Sequence, residues 1–158
     1  MSDLYTPASE FLLRVANGDV LLKGSAEADK NLRLLIQFMS DIDPSNRDWA
    51  TLLVASKDID TPEIQEALLR ATQDENASVR AEALLGLAER DLPHAIPLIL
   101  RELSRDECGY GTFQAAHHVA DPSLLDKLIT WRGRASHQHV NEEIEDAIRA
   151  CEAKLALR

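Results

Sequence analysis

Cys108 sits in Glu107-Cys108-Gly109-Tyr110-Gly111, where flanking glycines would leave a thiolate open to a substrate if a base stood beside it. Four of the histidines fall in two pairs, His117-His118 and His137-Gln138-His139, the second followed by Glu142 and Glu143. Imidazoles beside carboxylates could move protons or hold a metal. The spacing argues against each use. Adjacent histidines on a helix point about 100° apart and do not readily share an ion. Neither Cys108 nor Cys151 has a second cysteine or a histidine at ligand spacing. Gly109-Tyr110-Gly111 follows no strand and lacks the Lys-Ser/Thr ending of a phosphate loop. The expectation is therefore no catalytic residue, no metal ligand and no cofactor. Arg47 and Arg80 recur 33 residues apart. A repeated arginine at one register fits bonds between stacked units better than a single binding site.

The elements that must position these residues are helices. Asp43-Pro44, Thr61-Pro62 and Asp121-Pro122 each place a capping oxygen before a proline, as does Thr6-Pro7, and Asp91-Leu92-Pro93 carries the same signal with one residue inserted. Apolar residues between these marks recur at helical spacing, and no stretch alternates with the period of a strand. Helices are predicted over 7–17, 28–40, 44–56, 62–73, 77–90, 93–105, 111–120, 122–132 and 139–156. The two core columns expected on the second helix of each pair are Ile64/Ile96/Leu125 and Leu68/Leu100/Ile129. Gly86 lies in mid-helix, where it costs roughly 1 kcal/mol of propensity, so a close helix contact is expected there. His118 stands at the same register one unit later, so the third unit must open.

The unit itself is legible. Ser78-Val79-Arg80-Ala81-Glu82-Ala83-Leu84-Leu85-Gly86-Leu87-Ala88 is followed by Ala95-Ile96-Pro97-Leu98-Ile99, and Asp43-Pro44-Ser45-Asn46-Arg47-Asp48-Trp49-Ala50 is an earlier copy. This resembles the short bacterial HEAT-like repeat of the phycobilisome-lyase type. The resemblance is specific over 74–106, good over 43–73, degenerate over 107–132 and inferred over 1–42. It implies an all-α fold, a right-handed α-solenoid of stacked antiparallel helix pairs in one domain. Residues 1–42 would form N-terminal capping helices, 43–73, 74–106 and 107–132 three repeats, and 137–158 a C-terminal cap. It also implies that the second helices line a concave groove. On that alignment Glu66, Leu98 and Lys127 share one column, and Arg70, Glu102 and Trp131 share the column four residues on, with Arg101 at the border. These seven are the expected protein-binding residues, exposed and replaceable without loss of fold.

Composition narrows the partner. The 158 residues carry a formal net charge of -10, and only 4% are aromatic. Such a chain repels phosphate backbones and anionic membranes, and the densest basic spot, Arg132 and Arg134, is followed by Glu142, Glu143, Glu145 and Asp146. The N-terminus has neither a basic segment nor an apolar run, so no signal peptide is expected and the cytoplasm is the default location. The expected function is a non-enzymatic adaptor that holds a protein or peptide with a basic surface in its concave groove. Two alternatives stay open: an immunity-type inhibitor that masks a basic toxin or nuclease, and an enzyme. The resemblance extends to lyases and to an alkylpurine DNA glycosylase family, the latter disfavoured by the charge.

Overall fold

A computed structural model describes residues 6–56, 58–91 and 94–158. Among them the chain forms nine α-helices and no strand: α1 (Glu10–Ala16), α2 (Ala26–Phe38), α3 (Pro44–Ser56), α4 (Pro62–Ala71), α5 (Ala77–Glu89), α6 (Ala95–Leu103), α7 (Tyr110–Val119), α8 (Leu125–Trp131) and α9 (Gln138–Ala156). A 3₁₀ turn, Pro122–Leu124, leads into α8. The caps do what the sequence requires. Asp43 Oδ1 accepts the Ser45 N–H at 2.9 Å, Thr61 Oγ1 that of Ile64 at 3.3 Å, and Asp121 Oδ1 that of Ser123 at 2.9 Å. Asn76 caps α5 in the same way, accepting from Ser78 and Val79. The exception is α1, which starts three residues after Pro7 with Ser9 as its cap. Met1–Tyr5 and the helix start expected at Pro93 lie outside the described residues.

The units pack through their Val-Arg helices. α3 lies against α5, α5 against α7 and α7 against α9, whereas α4 and α6 share no comparable contact. Side-chain size explains the difference. A Cβ built on Gly86 would stand 2.7 Å from the Ala55 Cβ, so α3 and α5 meet backbone to backbone near their C-terminal ends. α5 and α7 close at the opposite ends, where a Cβ on Gly111 would lie 2.8 Å from the Ala81 carbonyl oxygen. The tight contact expected at Gly86 is thus present, and the opening expected at His118 is too: its ring turns outward and lies 3.6 Å from Asp91. Small residues at the contact shorten the spacing between axes. A stack whose one layer is spaced more closely than the other bends toward the closer layer. The inner face of this array therefore belongs to α3, α5, α7 and α9, and the second helices α4, α6 and α8 lie on the outside. This corrects the expectation that the second helices form the groove floor.

The apolar seam is continuous. Val79, Ala83 and Leu87 of α5 join the cluster built by α1 to α4, while Leu84 and Ala88 of the same helix join the cluster that runs to α9, and Leu98 touches both. The second-helix columns, however, are shifted by one residue from the expected ones. The buried positions are Ile64, Leu68 and Ala71 on α4, Ala95, Ile99 and Glu102 on α6, and Leu124, Leu128 and Trp131 at η-turn and α8. Ile96, Leu100 and Leu125 are half-buried, and Ile129 is 45% exposed. One residue on a helix turns a side chain by about 100°, so the slip exchanges core and surface.

Gly86→Ala gains helix propensity of about 1 kcal/mol but drives a methyl into Ala55. The clash should win, with a net loss of roughly 1–3 kcal/mol in urea unfolding; a stabilised Gly86→Ala would contradict the close contact.

Candidate functional site

The two repeated arginines form buried clasps. Arg47 donates from Nε and Nη2 to both carboxylate oxygens of Asp74, at 2.8 and 3.1 Å, and from Nη1 to the Asp41 and Ile42 carbonyls. Arg80 repeats the pattern, donating to the Asp74 and Glu75 carbonyls and, from Nε, to Glu102 at 2.9 Å. Each guanidinium therefore satisfies the turn before its own helix and reaches a carboxylate that ties it to a neighbouring element. The structural reading of these arginines holds.

Glu102 is accordingly buried, 1% exposed, with Arg105 also paired to it at 3.0 Å. Trp131 is buried too: its indole N–H donates to the Leu103 carbonyl at 2.9 Å, its ring packs edge-on against Phe113, and Arg134 covers its face. Both were expected on the surface, and the one-residue slip accounts for both. The rest of the expected stripe is scattered over the outer layer. Glu66 and Arg70 are exposed and paired with each other at 3.2 Å. Arg101 is exposed and donates to Thr72 Oγ1 at 3.3 Å, Lys127 is exposed, and Leu98 is half-buried between the two clusters. The structure does not bring these seven together on one accessible face.

The candidate chemistry elsewhere is equally constrained. Cys108 Sγ donates to the Glu102 carbonyl, and burial, followed by the charge of Glu102, pushes its pKa up to about 12, which opposes thiolate formation. His117 Nδ1 lies 2.7 Å from Glu143 Oε1, the Tyr110 hydroxyl donates to Glu143 Oε2 at 3.4 Å, and the Tyr110 ring meets His139 edge-on. These contacts fasten α7 to α9. Among the described residues, no three His, Cys, Asp or Glu side chains stand together in a metal-binding arrangement.

What remains is the inner face. Leu52 of α3, 36% exposed, and Leu85 of α5, half-buried, recur at the period of the arginines, and Tyr110 of α7 is 40% exposed. Around them stand Asp48 on α3, Glu82 and Glu89 on α5 and Glu143 on α9. An open hollow of about 370 Å³ is lined by Leu85, Glu89, Gln114, His117, His118 and Glu143. Asp48, Glu82 and Glu89 have no cationic partner among the described residues. The nearby arginines are committed elsewhere, Arg47 to Asp74, Arg80 to Glu102 and Arg90 to Asp60. The result is electrostatic crowding. Burial, then repulsion from Asp48 and Glu89, raises Glu82 to about 7, and burial with the charge of Asp74 raises Asp48. Sequence reasoning missed this face because it followed the second helices. The available signal was the 33-residue recurrence of an exposed leucine on the Val-Arg helices, Leu52 and Leu85.

Comparison with known proteins agrees with the architecture. The profile of the family described as HEAT repeats matches residues 32–116. Protein YibA of Escherichia coli, in strain K12 and in O157:H7, is 29% identical over 97 residues, which cover 61% of this chain and 35% of YibA. The X-ray structure of E. coli YibA superposes with a TM-score of 0.56 at 21% identity, over 85% of this chain and 54% of the other. The chain thus spans about a third of its curated relatives' length in sequence and about half of the solved chain in structure.

Two measurements follow. Glu102→Ala leaves Arg80 buried without its carboxylate and should cost about 3–5 kcal/mol in urea unfolding, while Arg70→Ala should stay within about 0.5 kcal/mol of the parent; equal effects would contradict the assignment of core and surface. Glu82 supplies a pH signature. The folded chain holds its proton up to about 7, whereas the unfolded chain releases it near 4.5. Between those values the folded state binds more protons, so this group's contribution to stability falls as pH rises. Glu82→Gln should remove that decline: equal melting temperatures near pH 4, and a higher one for the variant at pH 8.

Proposed function

The chain belongs to the HEAT-repeat family, and we propose that it is a non-enzymatic interaction module whose inner face binds a protein or peptide of basic character. One observation carries this reading. The layer of α3, α5, α7 and α9 is welded by small-residue contacts, yet its solvent side shows exposed Leu52 and Tyr110 and half-buried Leu85 among carboxylates that no internal cation neutralises. A rigid face loses little entropy on binding, because its side chains are already held by packing. The net charge of -10 supports a basic partner by steering its approach and disfavouring anionic surfaces. Cys108, with its thiol held protonated, and the His117–Glu143 pair, spent on joining two helices, support the non-enzymatic part of the reading.

The test compares faces. Leu52→Arg combined with Leu85→Arg changes the inner surface outside the core, whereas Glu66→Ala combined with Arg70→Ala changes the outer one. With folding checked by circular dichroism, partner capture from the native lysate should fall at least tenfold for the first pair and stay unchanged for the second. The reverse pattern would remove the proposal.

A further inference from the structure

We propose that the inner face docks an amphipathic helix bearing lysine or arginine, laid across the α3–α5 seam with its apolar side on Leu52 and Leu85 and a cation set between Asp48 and Glu82. This rests on the reading of the inner face as the binding surface and names what that surface takes. The geometry is specific to this seam. Gly86 and Ala55 draw α3 and α5 into backbone contact, so carboxylates on the two helices are forced toward each other across a gap that no long side chain fills. Leu52 on one helix and Leu85 on the other flank the same gap, and both keep part of their surface in water. An apolar side chain of the guest covers the leucines, and a neighbouring cation on the same guest face meets the acids. A helix supplies that combination at i, i+3 and i+4 spacing.

The charges facing Glu82 leave room for this guest and no internal substitute. α3 presents Asp48, and α5 itself presents Glu89. α7 presents His117, which lies against Glu143 of α9, and His118, which lies against Asp91. The arginines of α3 and α5 point to the inter-unit turns and the second helices. α4 and α6 pack on the other side of α5.

Docking is then coupled to a proton. Free Glu82, crowded by Asp48 and Glu89, is about half protonated near pH 7. A guest ammonium or guanidinium favours the carboxylate and expels that proton to solvent. By linkage, affinity rises with pH, by about tenfold between pH 6 and pH 8. Histidines titrate in the same range, so the pH profile of the parent protein does not by itself identify the group.

The deciding experiment titrates the full chain with a synthetic amphipathic helix of leucines and lysines, with a leucine–glutamate helix as control, by calorimetry in two buffers of different ionisation enthalpy. The expected result is binding of the lysine helix alone, release of about half a proton per peptide at pH 7, and loss of both the proton release and most of the pH dependence in Glu82→Gln. That variant is isosteric, and a melting curve confirms that it folds. Binding that is blocked by Leu52→Arg with Leu85→Arg, yet releases no proton and ignores Glu82→Gln, would overturn the seam and leave the inner-face reading standing. Absence of binding by the lysine helix, or binding indifferent to both variants, would overturn the two together.

Discussion

The contact on which the rest of this structure depends is the meeting of Gly86 with Ala55, and of Gly111 with Ala81, at distances that exclude any further side-chain atom. Those contacts draw the Val-Arg helices into a close layer, and the closeness of that layer sets which way the stack bends. It also decides where the polar chemistry goes. Helices that touch backbone to backbone leave no space between them for a lysine or arginine to neutralise Asp48 and Glu82, so the acids crowd on the solvent side. The same small residues that stiffen the array therefore create its unneutralised face.

A second regularity lies in the buried clasps. Arg47 and Arg80 repeat their bonds to the preceding turn, but they close on different carboxylates, Asp74 and Glu102. In the third unit both halves of the Arg80–Glu102 pair are replaced together. Thr112 stands where the arginine would be, and Trp131 stands in the column of Glu102, packed on Phe113. Replacing one half alone would leave a buried charge without a partner, which costs several kcal/mol. The paired change to an apolar contact avoids that, although Thr112 Oγ1 is left buried without a hydrogen bond among the described residues.

The helices and their caps were legible because they are written in local chemistry: Asp43, Thr61 and Asp121 before prolines, and apolar residues at helical spacing. Gly86 was legible as a close contact for the same reason. The face of each second helix was not. Ala95, Ile96 and Leu98 to Leu100 make α6 apolar almost all round, so hydrophobicity favours Ile96 over the smaller Ala95 as the core residue, and the alignment slips by one. Glu102 compounds the slip, since a carboxylate reads as surface until Arg80 is placed beside it. The candidate site was misplaced for a global reason: which layer is inner depends on contacts between units, and these rest on positions some 30 residues apart in sequence.

The central claim is that α3, α5 and α7 touch through their smallest residues. Nuclear Overhauser spectroscopy of the folded protein tests it most directly. The account predicts strong cross-peaks from the Ala55 methyl to the Gly86 α-protons and from the Ala81 methyl to those of Gly109 and Gly111. Absence of these cross-peaks in a folded sample, with the Ala55 and Ala81 methyls instead close to side chains of the second helices, would contradict it.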